Sequence, residues 1–249
     1  MKYRWWYAGA LGGALGAFFG YALASPRSQI IGSSVWHGPR DRREIALTFD
    51  NGPSPDGTER ILDLLRSENV KATFFVLGRA TETYPHLARA IVDEGHQIGN
   101  HGYTHKSLLW AGPTTTAQQL DRGYRAIESA CGVGPTVYRP AFGSRNFFMP
   151  RLLKQRGWKL IQWAVSSGDW RVHGARKLTN WVRDIHNGDI LLWHDGVRSE
   201  ITTPRTVTVA ALSQVIPFLR DRGYSFVTID QMLGETSQDP GAVPSPATA

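Results

Sequence analysis

The chain has 249 residues, 41% hydrophobic and 20% charged, which excludes a low-complexity chain and suffices for one domain with a full core. The net charge is +7, but residues 1–43 carry a balance of +5 and leave only +2 elsewhere, which argues against a nucleic-acid groove. The single cysteine, Cys131, excludes an internal disulfide and a Cys-based metal site; it reads as a small buried hydrophobe on a helix.

Lys2 and Arg4 precede an uncharged run over residues 5–24. As a helix it would span about 30 Å, the hydrocarbon thickness of a bilayer. Ala22-Leu23-Ala24 before Ser25-Pro26 also resembles a signal-peptidase site. Residues 1–24 are therefore expected to be a membrane anchor or a signal peptide. In either case the leading positive charges send the rest of the chain outside. Gly12, Gly16 and Gly20 would share one helix face, a spacing that allows a helix-mediated dimer. Residues 25–43 are polar, carry Pro26, Gly32 and Pro39, and are expected to be a linker.

From residue 44 onward, short apolar runs alternate with helical patterns. Strands are expected at 45–49, 71–76, 97–100, 137–138, 160–165, 190–193 and 225–229. Helices are expected from Thr58 and over 84–94, 114–130, 148–156, 176–185 and 207–222. Such alternation implies βαβ units and a parallel sheet. Seven strands with polar groups at their ends favour a single-domain α/β barrel over an open sheet. The domain is placed at 44–234, and 235–249, rich in Pro, Ala and Ser, is expected to be a disordered tail.

Titratable groups follow the apolar runs, where an α/β enzyme builds its active site. His101 and His105 lie four residues apart after one strand, and Asp50-Asn51 follows another. Two imidazoles and one oxygen ligand leave open positions on an ion, which marks a catalytic metal site. Asn51 is unexpected there, because a carboxylate binds a metal better. Asp50 can act as general base beside such an ion. Arg139 can clamp it, and the Phe142-Gly143 turn can aim an N–H at an oxyanion. Asp169 can orient and charge His194, an acid for the leaving group. Trp110, Phe142, Trp170 and Trp193 lie near these residues and offer aromatic faces for stacking. His37, His86, His96, His173 and His186 lack this context and read as surface residues.

The set resembles the polysaccharide deacetylases, the NodB-homology domain or carbohydrate esterase family 4, from about Glu44 to Leu233. Thr48-Phe-Asp-Asn-Gly-Pro53, His101-Gly-Tyr-Thr-His105, Arg139-Pro-Ala-Phe-Gly143, Asp169-Trp170 and Leu192-Trp-His194 follow the family's motif order. The resemblance implies an α/β fold, a single-domain distorted (β/α)7-type barrel, and a divalent metal, zinc with cobalt or manganese as alternatives, held by Asn51, His101 and His105. It implies hydrolysis of acetyl groups on N-acetylated sugars of a peptidoglycan or chitin-like polysaccharide. It makes Asp50 the base supported by Arg139, His194 the acid supported by Asp169, and Phe142 an oxyanion donor. Asn51 replaces the usual Asp, and Ser166 sits where a further acid is frequent. The Asp-Asn-Gly motif is also similar to a subgroup acting on N-acetylmuramic acid. A glycan-binding pseudoenzyme without metal and an O-acetyl polysaccharide esterase are the alternatives.

Overall fold

The computed structural model describes residues 16–170, 180–196 and 205–235. A helix over residues 16–24 (α1) comes first. It is followed by β1 (Glu44–Asp50), α2 (Pro55–Ser67), β2 (Thr73–Val76), α3 (Gly78–Thr83) and α4 (Pro85–Asp93). Next come β3 (Gln97–Asn100), α5 (Pro113–Cys131), β4 (Val137–Tyr138), α6 (Met149–Gln155), β5 (Lys159–Leu160) and β6 (Val165–Ser166). The chain continues with β7 (Ile190–His194), α7 (Thr206–Asp221), β8 (Ser225–Phe226) and α8 (Ile229–Met232). The strands pair in the order β5-β4-β3-β2-β1-β7-β6, with β8 beside the first residues of β1. Each of these pairings is parallel.

Period-two alternation along these strands makes two cores. Ile45, Leu47 and Phe49 of β1 point outward with Phe74, Val76, Ile98, Leu191 and Trp193, against Ile61, Leu65 and Leu212 of the helices. Ala46, Phe75, Val137 and Ile190 fill the interior with Ile229 and Met232. The opposite faces of β1 and β7 therefore carry different business. Asp50 and His194 share the inward register, and Trp193 belongs to the outer layer. Cys131 is buried at the end of α5, where its thiol is pushed up to about 11 by burial.

Several expectations change. The expected strand over 160–165 is two, because Ile161 pairs with Val35 and the chain rejoins β7 only at Val165. The strand expected over 225–229 stops at Phe226, and Thr228 caps α8 with Gln231 in a capping box. Of the helix expected over 176–185, residues 176–179 lie outside the described residues and Asn180–Asp184 forms a 3-10 turn. Residues 25–43, expected as a linker, lie against the domain. Ser28 is fully buried, Val35 exchanges backbone hydrogen bonds with Leu160 and Gln162, and His37 pairs with Asp189. Polar composition hid this because the serines are buried with their hydrogen bonds made. Residues 1–15 and 236–249 lie outside the described residues. No helix among the described residues is long and apolar enough to cross a membrane.

His96, expected at the surface, is 6% exposed. Its Nδ1 accepts the Ala72 N–H (3.2 Å), and its ring packs edge-on against Phe74. Burial, with Lys71 and Arg66 nearby, lowers its pKa from 6.5 to about 4. The unfolded chain therefore takes up a proton below pH 6.5 that the folded chain refuses until about pH 4. Stability should fall across that window by up to about 3 kcal/mol. Urea unfolding of the parent chain and His96→Gln at pH 7 and pH 4.5 checks this. Equal losses for both chains would show that His96 is not responsible.

Candidate active site

Register decides which residues meet. Asp50 at the end of β1 pairs with His194 at the end of β7, and Asn100 of β3 pairs with Tyr138 of β4. His101 and Arg139 follow directly on those two strands. The sequence-derived base, acid, histidine and arginine thus converge at the carboxyl ends of adjacent strands.

Asp50 is 3% exposed, and its Oδ1 accepts a hydrogen bond from Arg139 Nη1 (2.8 Å). The same guanidinium donates to Thr48 Oγ1 (2.7 Å) and the Gln162 carbonyl (2.9 Å), and lies over the Phe75 ring. Arg139 is fully buried, so Asp50 supplies the counter-charge that makes its burial tolerable. Asp50 Oδ2 stands 3.7 Å from His101 Nε2.

His101 Nδ1 donates to the Arg139 carbonyl (2.7 Å), which fixes the tautomer and leaves the Nε2 lone pair bare. Burial lowers the pKa of His101 and keeps it neutral, the form that binds metal. The His101 and His105 rings lie 5.1 Å apart, and the Phe142 ring meets His105 edge-on at 4.6 Å. Asn51 Oδ1 is buried and makes no hydrogen bond. A buried acceptor without a donor costs about 1–3 kcal/mol, which a cation at this point would recover. Asn51, His101 and His105 therefore fit a divalent ion. Among the described residues no group of three His, Cys, Asp or Glu side chains is placed to hold a metal ion.

The backbone is strained at the same place. Asn51 (φ 82°), His105 (φ 55°) and Phe142 (φ 60°) are three of the four non-glycine residues with positive φ among the described residues. Such conformations cluster where geometry matters more than stability. Gly143 follows Phe142 at φ 66°, and an added Cβ there would lie 2.6 Å from Trp163. Gln162 Nε2 donates to the Gly143 carbonyl (2.9 Å) and so holds the turn.

His194 is paired with Asp169. Asp169 Oδ1 accepts from His194 Nδ1 (2.7 Å) and Ser167 Oγ (3.0 Å). Oδ2 accepts from the His194 N–H (3.0 Å), Arg205 Nη2 (2.6 Å) and Thr208 Oγ1 (2.9 Å). Burial alone would raise the Asp169 pKa, but His194, Arg205 and Thr208 outweigh it and hold the carboxyl far below the usual range. With Nδ1 engaged, Nε2 is the His194 nitrogen left for a substrate. Trp170 covers the ring edge-on at 4.9 Å and is 44% exposed. Asp169→Asn removes the charge that faces His194 Nδ1, and activity should fall about 10²–10⁴-fold with the fold intact. Parent-like turnover by the folded variant would remove His194 from the acid role.

Sequence reasoning missed four supporting residues. Asp195 is buried, accepts from Gly52 N–H (2.9 Å) and Thr58 Oγ1 (2.7 Å), and is pushed up to about 6 by burial. An added Cβ on Gly52 would lie 1.9 Å from its Oδ2, so only glycine fits there. Its one sequence signal was adjacency to His194. Arg205, Thr208 and Gln162 follow no strand-end pattern and gave none. One expectation is corrected: Trp193 is fully buried in the outer layer, because it alternates with inward His194, and presents no ring to a sugar. Phe142 is 42% exposed and Trp170 is 44% exposed.

A family model for polysaccharide deacetylase matches residues 37–161. The chain belongs to the polysaccharide deacetylase family. It is 36% identical over 200 residues to the peptidoglycan-N-acetylglucosamine deacetylase of Listeria monocytogenes, covering 80% of this chain and 41% of that one. The chain thus spans about two fifths of the length of that relative. Among solved structures, the Bc1960 peptidoglycan N-acetylglucosamine deacetylase matches with TM-score 0.77 and 32% identity, over 83% of this chain and 95% of that one. A CE4 family pseudoenzyme from Bacillus anthracis matches with TM-score 0.73 and 28% identity, over 80% and 68%. A mutant of that pseudoenzyme has restored enzymatic activity. In this deacetylase-family chain, the matched region 37–161 includes Asp50, Asn51, His101, His105 and Arg139.

Proposed function

We propose that the protein is a metal-dependent deacetylase that hydrolyses the acetamido groups of N-acetylglucosamine in peptidoglycan. The observation that carries this reading is the register pairing of Asp50 with His194, each held by its own buried partner, Arg139 and Asp169. It sets a carboxylate and an imidazole on neighbouring strands, which lie about 5 Å apart in a sheet.

Asn51, His101 and His105 would hold a divalent ion, with zinc favoured by the imidazole donors and cobalt or manganese as alternatives. Such an ion polarises a carbonyl and acidifies water. Asp50, fixed by Arg139, accepts the proton of the attacking water. The Phe142 amide, set in a left-handed turn (φ 60°), would donate to the developing oxyanion. As the C–N bond breaks, His194 Nε2 gives its proton to the departing amine, and acetate and a free amino sugar remain. Phe142 and Trp170 offer apolar faces to the sugar.

The uncharged 5–24 run behind Lys2 and Arg4 supports an extracytoplasmic domain, anchored in the membrane or secreted after cleavage. Acetate release from peptidoglycan, chitooligosaccharide and O-acetylated xylan, with added zinc, cobalt or manganese, tests the reading. Release from xylan alone would make it an esterase, and no release from any polymer by folded protein would end it. Preference for muramic over glucosamine residues in the product would move it to the muramic-type subgroup.

A second reading, a glycan-binding pseudoenzyme, is favoured by the neutral amide at Asn51 and by the likeness to a family pseudoenzyme. Calorimetric zinc titration separates the two. Binding at micromolar concentration or tighter excludes the pseudoenzyme.

A further inference from the structure

We propose that the face built from α1, the 108–111 loop and the 145–148 loop docks on an anionic lipid bilayer and holds the active-site mouth at a fixed height above it. This rests on reading residues 5–24 as membrane-embedded. It goes beyond that reading, because a tether alone would leave the domain free to tumble.

Six of the ten exposed large hydrophobic side chains among the described residues lie on these segments, and a seventh, Ile30, follows α1. They are Phe18, Phe19 and Tyr21 on α1, Ile30 behind it, Trp110 at 86% exposed, and the Phe147-Phe148 pair. Monomeric soluble domains rarely concentrate exposed apolar surface this way, whereas aromatic side chains collect at membrane–water interfaces.

The segments form one body. The Arg145 N–H donates to the Leu23 carbonyl (2.9 Å). Its fully buried guanidinium donates to the carbonyls of Ser28 (2.6 Å) and Ser25 (2.5 Å). Asn146 Nδ2 donates to the carbonyls of Leu108 (2.8 Å) and Ala111 (3.2 Å), and Leu109 packs on Ala22, Leu23 and Ile31. The chain leaving the apolar run is thus locked to the loop that carries Phe142 and Gly143.

Charge selects the partner. Residues 16–40, 101–120 and 139–160 contain no Asp or Glu, while Lys106, Arg151 and Lys154 are exposed. An acid-free aromatic and basic face, continuous with an uncharged run long enough to cross a bilayer, fits anionic lipid headgroups. The buried Cys131 thiol stays out of labelling reactions.

The test uses the full chain in mixed phosphatidylcholine–phosphatidylglycerol vesicles. Nitroxides are placed by Trp110→Cys, Phe147→Cys and, on the exposed side of α7, Ser213→Cys. Flotation with the vesicles after an alkaline wash reads the anchor, and relaxation by oxygen against a water-soluble nickel chelate reads docking. The expected result is flotation of all three variants, with oxygen dominating at positions 110 and 147 and nickel dominating at 213. Flotation with nickel dominating at all three positions overturns the docking and leaves the anchor intact. Peptidoglycan fragments that then immobilise the 110 and 147 labels would reassign the face to glycan. Failure to float overturns both the anchor and the docking.

Discussion

Arg139→Ala is expected to abolish acetate release and to lower stability by about 3–5 kcal/mol. Arg139 is fully buried and donates to Thr48, Asp50 and Gln162 at once. Truncation leaves the 3%-exposed Asp50 carboxylate without its counter-charge and frees it to turn toward His101. It also strips the Gln162 carbonyl of its donor, while Gln162 is what holds the Phe142-Gly143 turn. One side chain therefore supports Asp50, the proposed base, and the Phe142-Gly143 turn, the proposed oxyanion donor, together. Arg139→Lys guards against a variant that simply fails to fold. Lysine keeps the charge but replaces the planar fork with a point donor, so it cannot satisfy three acceptors in this geometry. It should unfold later in urea than the alanine variant, yet still lose about 10²-fold or more in acetate release. Parent-like activity in Arg139→Lys would show that the charge alone matters, and parent-like stability in Arg139→Ala would show that Asp50 finds another partner.

The strand ends were legible because apolar runs stopping at titratable residues mark the carboxyl side of a parallel sheet. Asp50, His101, Arg139 and His194 followed from that pattern alone. Hydropathy is less informative where polar groups are buried with their hydrogen bonds made. Ser28 and Ser34 look like linker residues until Arg145 is seen between them. Arg205 and Thr208 reach Asp169 from the start of α7, across a separation of 36 and 39 residues that carries no local signal. Trp193 was a different kind of miss. If His194 faces inward, a period of two sends Trp193 outward, so strand geometry in the sequence already held the answer. His96 precedes β3 after a Glu94-Gly95 turn that suggests the surface, but its Nδ1 closes an open donor on Ala72 and draws the ring inside.

Asn51→Asp should tighten zinc binding about tenfold or more, a shift of about 1.4 kcal/mol on the binding scale. The amide oxygen of Asn51 is buried, without a hydrogen-bond donor, and fixed by a positive-φ backbone that Asp also tolerates. The substitution changes charge without changing shape. Without metal, that charge is a burden. A second carboxylate beside Asp50 meets like-charge repulsion in a site where both residues are 3% exposed. In the presence of a chelator the variant should therefore unfold at lower urea than the parent chain. With zinc at about a hundred times the dissociation constant, binding contributes about 2.7 kcal/mol to either chain. At one fixed zinc concentration the tighter site gains more, so the order of stability should reverse. That reversal is independent of turnover and depends on position 51 being a ligand. If zinc binds no more tightly and the order does not reverse, Asn51 is not in the coordination shell. Should binding tighten while acetate release is lost, the neutral amide is required by the substrate, since an extra carboxylate at this point would repel an acidic neighbour on the glycan. Should binding and acetate release rise together, Asn51 is a weakened ligand, and the site trades metal affinity for a less crowded charge beside its base.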